Sequence, residues 1–195
     1  KRNGLDVSCE TAPHYLLLDE NDLQEDGRFK MNPPLRAKED REALIEGLLD
    51  GTIDAIATDH APHLLTQKQG GCSKAASGMP MVQFSLVTML ELVDEGVLTI
   101  ERLVDLMAHQ PAQLFHINQR GFLRVGYKAD IAIIRPNSTW TLTEQQIQSK
   151  CGWSPMTGHT FHWQVEHTFC NGHHIYNKGV FDDRTLGESL LFRKN

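Results

Sequence analysis

The sequence predicts an α/β protein, because short apolar runs of strand length alternate with segments of helical periodicity. Residues 5–10 and 53–58 are the two strand-like runs, and glycine, proline or charged residues bound each of them. Residues 38–50 between them form a helical segment, so the three together make a β-α-β pattern. Two further helical segments follow the second strand and support the same class.

The individual elements have recognisable ends. The helix over residues 38–50 has an acidic first turn, an apolar face and Gly51 as its stop. The later helices are predicted over residues 82–94 and, after a Thr99 cap, 100–109, with Pro111 breaking the second. Beyond Gly121 the chain becomes strand-like: residues 129–135 are rich in β-formers, and residues 165–176 contain Asn171-Gly172, which suits a tight hairpin.

Composition and charge exclude several classes of function. The chain has 195 residues, 40% of them hydrophobic and 23% charged, as is typical of a soluble globular protein. The net charge of -6 offers no broad field for a nucleic acid. We expect no membrane contact and a cytoplasmic location, because no bilayer-length apolar stretch and no signal peptide are visible. Four widely spaced cysteines predict reduced thiols.

Two strands are too few to form a covered parallel sheet. The apolar faces of the predicted helices and strands therefore need partners. We expect the chain to be part of a longer polypeptide or to pair with another one, and the first residue, Lys1, agrees with this expectation.

The densest cluster of reactive side chains is the run Ala-Thr-Asp-His-Ala-Pro-His over residues 57–63. It follows the second strand, and active sites of α/β proteins lie at the carboxyl ends of strands. Asp59 can ligate a divalent metal and exchange a proton. A turn-capping role for Asp59 stays open, although His60 and His63 favour a site. Pro62 argues against a helical zinc motif here.

A second candidate is the run Lys-Met-Asn-Pro-Pro-Leu-Arg over residues 30–36. Its prolines stiffen the backbone, so Asn32 can present its amide to a polar ligand, but taken by itself this run favours a structural proline turn that Asn32 initiates. His14 is expected to be a hydrogen-bonded structural histidine, although it can face the same end of the sheet.

Together, the runs 32–36, 56–63 and 121–130 closely resemble the C-terminal half of the dihydroorotases. These belong to the cyclic-amidase branch of the amidohydrolase superfamily of metal-dependent TIM-barrel hydrolases. The resemblance implies that residues 1–120 form the C-terminal part of a (β/α)8 barrel, with its last two strands and helices. Residues 121–195 would then form part of a small flanking β-sandwich, followed by a C-terminal tail.

The resemblance also implies roles for particular residues. Asp59 matches the last metal ligand, which is also the catalytic base and acid, and Asn32 matches a contact of the substrate ring. His63 matches a histidine on the substrate side, and Ser77 with Gly78 matches a loop whose backbone holds the ring. The family often has Phe-Gly at that loop, so Ser77 is a departure.

The reaction implied is the reversible, zinc-dependent hydrolysis of dihydroorotate to N-carbamoyl-aspartate in pyrimidine biosynthesis. One or two zinc ions are expected, with the remaining ligands upstream of Lys1. The isolated chain is therefore predicted to be inactive without the N-terminal half of its barrel. A homodimer is a possible assembly.

Two alternatives remain open. One is another cyclic amidase, such as an allantoinase or a hydantoinase. The other is a non-catalytic dihydroorotase-like scaffold for aspartate carbamoyltransferase. Asp59, Asn32 and His63 together argue against a scaffold, because a scaffold has no chemical need for these three groups.

Overall fold

The computed structural model describes residues 4–23, 27–185 and 187–193. The first residues of the predicted domain 1–120 and the last residues of the predicted domain 121–195 lie outside these ranges. In the described chain, two short strands and all the α-helices lie before residue 115, and strands dominate afterwards. The strands are β1 (Glu10–Thr11), β2 (Ala55–Ile56), β3 (Ile131–Arg135), β4 (Trp140–Thr141), β5 (Thr160–Phe161), β6 (Gln164–Cys170), β7 (His173–Asn177) and β8 (Val180–Phe181). The α-helices are α1 (Pro13–Leu17), α2 (Lys38–Leu49), α3 (Gly71–Lys74), α4 (Ser85–Asp94), α5 (Ile100–Val104) and α6 (Gln110–Leu114).

The predicted β-α-β unit is present, with β1 and β2 paired in parallel. Backbone bonds from Asp54 N–H to the Cys9 carbonyl and from Ala57 N–H to the Thr11 carbonyl extend the pairing by a residue at each end. The prediction of a strand over residues 5–10 was wrong in its bounds. Residues 54–57 form hydrogen bonds only with the stretch from Cys9 to Thr11. An extended segment becomes part of a sheet only where a neighbouring strand pairs with its backbone, so the strand is limited to this stretch.

The helical predictions hold, with two differences. Helix α4 begins at Ser85 rather than at residue 82, because residues 82–84 form a turn before it. The break predicted at Pro111 was wrong. A wide π turn over Asp105–His109 joins α5 to α6, and Pro111 lies in the first turn of α6, where a missing N–H is tolerated.

Two hydrophobic clusters stabilise the molecule. One packs α2, β2 and the helices α4 and α5 together through side chains such as Leu48, Met89 and Leu106. The other joins residues from both sides of position 120, since Met31, Met79 and Phe84 pack with the segment that carries β4 and β5. Trp153 and Phe161 are the large buried residues that this segment contributes.

Strands β4 and β5 pair antiparallel with each other, and the other four strands form an antiparallel sheet in the order β3-β6-β7-β8. Asn171 and Gly172 join β6 to β7 with positive φ angles of 53° and 85°, as the predicted tight hairpin requires. None of the described residues in these four strands is buried. Over the described ranges, no helix combines the length and the apolar character that a bilayer crossing needs.

Candidate active site

The candidate site lies where the parallel strands β1 and β2 end. Strands that run side by side in one direction bring their carboxyl ends to the same edge of the sheet. Asp59 follows β2 there and has a φ of 45°, in the left-handed region that few side chains adopt. Its carboxylate is 52% exposed. The backbone therefore turns sharply at Asp59 and presents the carboxylate to the space beyond the strand.

Asp59 and Asn32 line one cavity of about 690 Å³. Tyr15, Arg36 and Glu10 also contribute to its wall. The structure thus brings together two residues that are 27 positions apart in the sequence (59 minus 32). The cavity combines an acid, an amide, a phenol and a guanidinium, which can bind a small polar molecule and exchange protons with it.

His14 lies at the end of the sheet that the sequence allowed for it, but its expected hydrogen bonding was wrong. It is buried, and neither of its ring nitrogens has a hydrogen-bond partner among the described residues, so it is not the hydrogen-bonded structural histidine that we expected. His14 Nε2 lies 4.0 Å from Asp59 Oδ2. Burial lowers the pKa of His14 to about 4, so its imidazole is neutral near pH 7.

Tyr15 is a second residue that sequence reasoning missed. Its hydroxyl donates to the Pro33 carbonyl at 2.8 Å, which connects α1 to the segment that carries Asn32. Burial, followed by the charge of Asp59, raises the pKa of Tyr15 to about 12. The signal for both residues was their position directly after a strand that runs parallel to β2, since such residues meet at one edge.

His63, Ser77 and Gly78 form a second group beside the first. His63 Nε2 lies 3.1 Å from the Ser77 carbonyl, and because a carbonyl only accepts, Nε2 must carry the proton. Gly78 has a φ of 122°, and a side chain there would lie 2.3 Å from the Ala61 Cβ. His63 is not part of the wall around Asp59 and Asn32, but the segment after β2 supplies both Asp59 and His63.

Asp59 and His14 suit a divalent metal. Zinc sites use carboxylate oxygen and neutral imidazole nitrogen, and the buried imidazole of His14, which has no hydrogen-bond partner in the described part of the chain, is available as a ligand. These are two donor atoms, whereas a zinc site has at least three protein ligands. The described residues also include a cluster of Glu91, Asp94 and His162, whose potential ligand atoms lie within 4.8 Å of one another. That cluster lies outside the cavity wall, and Glu91 already accepts from the backbone N–H and pairs with the ring of His162.

Comparison with known proteins gives consistent results. The model of the Amidohydrolase family matches residues 5–175. A dihydroorotase of Lactobacillus johnsonii is 44% identical over 183 residues, which cover 92% of this chain and 43% of that protein. A dihydroorotase of Geobacter metallireducens is 44% identical over 179 residues, which cover 91% of this chain and 42% of that protein. The chain thus spans less than half the length of these curated relatives.

Solved structures show the same similarity in three dimensions. The L-hydantoinase (dihydropyrimidinase) from Arthrobacter aurescens matches with a TM-score of 0.87 and 33% identity, over 92% of this chain and 41% of that one. The D-hydantoinase (dihydropyrimidinase) from a Thermus species matches with a TM-score of 0.86 and 23% identity, over 96% and 42% of the two chains, which shows the fold alone. With its family match over most of its length, this chain belongs to the amidohydrolase family.

Proposed function

We propose that this chain is the C-terminal part of a dihydroorotase, a hydrolase that opens the ring of dihydroorotate to N-carbamoyl-aspartate and closes it again. The observation that carries the proposal is the shared cavity, in which Asp59 and Asn32 lie together with His14 beside the carboxylate. The similarity to curated dihydroorotases over nine-tenths of the chain supports the same activity.

In this proposal β1 and β2 are the seventh and eighth strands of a (β/α)8 barrel, within a domain of residues 1–120. Residues 121–195 belong to a flanking β-sandwich. The single hydrogen-bonded neighbour that β1 and β2 each have in the described chain supports further strands beside them. The proposed partners are the rest of the barrel, the small-molecule substrate and a second copy of the protein, and the proposed location is the cytoplasm.

Zinc is the proposed cofactor, as one or two ions, with Asp59 and His14 among its ligands and the others upstream. When bound, such an ion polarises the ring amide and makes water a nucleophile near neutral pH. His14 meets the requirement of a neutral ligand because burial lowers the pKa of its ring to about 4. The sequence did not indicate this role for His14; it is proposed because neither ring nitrogen has a hydrogen-bond partner among the described residues.

The chain's own residues perform the remaining tasks. Asp59 takes a proton at a carboxylate oxygen and delivers it to the leaving ring nitrogen, for which its exposure to the cavity is required. Asn32 offers an amide donor and acceptor to the ring edge. The described wall carries Arg36 beside the carboxylates of Glu10, Asp40 and Asp59, so Arg36 is the group there that can pair with a carboxylate of the substrate.

A hydantoinase is the second candidate function. The structural similarity to hydantoinases favours it, because those enzymes share the fold of this chain. Both activities act on cyclic amides, so the two candidates differ in substrate and agree in the roles of Asp59 and Asn32. The third reading, a scaffold for aspartate carbamoyltransferase, has less support, since it does not require an acid and an amide in one cavity.

Competition between substrates tests the proposal. The whole protein that contains this chain, loaded with zinc, is offered dihydroorotate, hydantoin and allantoin, and kcat/KM is measured for each. We expect the highest value for dihydroorotate; a preference for hydantoin or allantoin would replace the first candidate with another cyclic amidase. Absence of all three activities in a zinc-loaded, folded protein would favour the scaffold.

Asp59→Asn tests the residue that carries the proposal. We expect kcat/KM to fall by about 10³-fold, the range for loss of a general acid-base group. Glu39→Gln, an equivalent change on the exposed face of α2, is the control and should leave the activity unchanged. The separate 195-residue chain should show no hydrolysis in the same assay, since it supplies too few metal donors.

A further inference from the structure

Lys68 is a buried lysine at the end of a short 3₁₀ turn, Leu65–Lys68, and only 1% of it is exposed. Its ammonium group donates to three backbone carbonyls. Nζ lies 2.6 Å from the Ala76 oxygen, 2.8 Å from the Gly78 oxygen and 3.2 Å from the Lys30 oxygen. An ammonium has three N–H donors, and all three of these carbonyls lie within hydrogen-bond distance of it.

The three carbonyls come from two segments of the site. Ala76 and Gly78 flank Ser77, in the loop whose backbone faces His63, and Lys30 precedes Asn32 by two residues. The Gly78 N–H also donates to the Lys30 carbonyl at 2.8 Å, so the two segments are in direct contact. One ammonium therefore holds the loop of Ser77 and Gly78 against the segment that positions Asn32.

Successive carbonyls of this loop have different hydrogen-bond partners. The carbonyls of Ala76 and Gly78 accept from Lys68, whereas the intervening carbonyl of Ser77 lies at hydrogen-bond distance from His63 Nε2. Two different side chains thus fix successive carbonyls of the same short loop. Trp153 contacts both His63 and Lys68. Its Nε1 donates to the His63 carbonyl at 2.7 Å, and its ring lies 6.0 Å from the Lys68 ammonium.

Packing alone does not require a charge at this position. Burying an ammonium carries a desolvation penalty, which hydrogen bonds must offset, whereas an unbranched apolar side chain of similar length fills the same space without it. An apolar side chain has no N–H donors for the three carbonyls that accept from Lys68. Charge-assisted bonds of this kind are stronger and shorter than neutral ones.

We infer that Lys68 is a positioning residue, which sets the backbone of Ser77 and Gly78 relative to Asn32 and thereby shapes the pocket for the ring of a cyclic amide. The inference rests on the proposed function and on the substrate contacts that the resemblance to dihydroorotases implies for Asn32, Ser77 and Gly78. Lys68 acts through the loop and takes no part in proton transfer. Its loss should therefore weaken substrate binding more than turnover.

Kinetics of the whole zinc-loaded protein test this inference. Lys68→Met removes the ammonium and leaves an unbranched apolar side chain that is one atom shorter, and Lys74→Met makes the same change at an exposed lysine in α3. For the best substrate of the parent, we expect Lys68→Met to raise KM at least tenfold while kcat stays within threefold. Lys74→Met should match the parent. A KM within twofold of the parent, or a loss confined to kcat, would overturn the inference.

Lys68→Gln is the second variant and decides the question by the same criterion if Lys68→Met does not fold. Its amide keeps two N–H donors for the carbonyls, so KM should lie between those of the parent and Lys68→Met. A KM equal to the parent's would contradict a positioning role, because the charge and one donor have been removed.

Hydrogen–deuterium exchange separates this inference from the proposed function, since it needs no substrate. In the Lys68 variants, the amide of Gly78 should exchange at least tenfold faster than in the parent, while α4 remains unchanged. If the parent hydrolyses no cyclic amide but the Lys68 variants show this exchange pattern, the proposed function is refuted and the role of Lys68 in fixing the loop is retained. Unchanged exchange at Gly78 would refute that role whatever the activity.

Discussion

The segment around β4 and β5 and the sheet β3-β6-β7-β8 are neighbours in sequence, but they are packed very differently. Phe161 at the end of β5 is fully buried and contacts the rings of Phe84 and Trp140. In the four-stranded sheet, by contrast, none of the described strand residues is buried, and Phe181 is 55% exposed. The segment that packs against residues near the site, such as Met31 and Met79, is therefore buried, whereas the sheet that is interleaved with it in the sequence is not. Four predictions test that difference.

Phe161→Ala should have the largest effect. Removal of a buried aromatic side chain leaves a cavity, and we expect a loss of about 3–5 kcal/mol in the free energy of unfolding. Phe181→Ala, the same change in the outer sheet, should lower it by less than about 1 kcal/mol. Urea unfolding of the chain, followed by circular dichroism, measures both. Equal losses would mean that the outer sheet is packed as well as the site.

Acid should destabilise the region of the site through His14. Its pKa is about 4 in the folded chain and near 6.5 when unfolded, so folding favours the neutral ring. The contribution is complete above about pH 6.5 and is lost as the pH falls towards 4. That difference in pKa corresponds to about 3 kcal/mol.

The measurement compares the metal-free parent with His14→Gln, which is neutral at every pH. The difference between their free energies of unfolding should change by about 3 kcal/mol between pH 7 and pH 4. His173→Gln, at an exposed histidine in β7, should follow the parent throughout. A constant difference between the parent and His14→Gln would contradict a neutral buried ring.

Gly78→Ala and Gly172→Ala compare two glycines with positive φ angles, one in the site and one in the outer hairpin. Both changes should destabilise the chain by about 1 kcal/mol through backbone strain. Gly78→Ala should lose about 1–2 kcal/mol more, because the new methyl group would overlap Ala61, whereas no heavy atom of the described chain lies within 4 Å of a Cβ at Gly172. Thermal unfolding measures both; similar midpoints would show that the loop of Gly78 adapts easily.

His162 should have the smallest effect. A hydrogen bond and the charge of Glu91, with a further contribution from Asp94, raise the pKa of His162 above its usual value. The resulting stabilisation is present below about pH 6.5 and is lost as the pH rises through the raised pKa. Thermal midpoints of the parent and His162→Gln should therefore differ slightly at pH 6 and converge at pH 9. A gap that widens with pH would show the opposite sign.

The sequence was sufficient for those features that depend on local patterns. The helix after Ala37, the hairpin at Asn171-Gly172 and the β-α-β unit all follow from periodicity, caps and turn residues. The meeting of Asn32 and Asp59 followed from a resemblance together with the rule that parallel strands end at one edge.

The features that the sequence did not predict depend on contacts between distant segments. Nothing near Lys68 indicates that Ala76 and Lys30 will surround its ammonium, and an isolated lysine is usually exposed. The burial of His14 depends on helices that pack over α1. The chain stays helical past the break predicted at Pro111 because a π turn joins α5 to α6, and hydrophobic periodicity gives no signal for a π turn.

The left-handed backbone at Asp59 has a consequence for how such a protein changes under selection. Glycine or asparagine occupies this conformation more readily than aspartate, so the chain keeps its acid against local preference. Laboratory evolution for heat tolerance alone would tend to discard the carboxylate and gain robustness, whereas evolution for turnover would retain it. At this position, selection for stability and selection for catalytic activity therefore favour different residues.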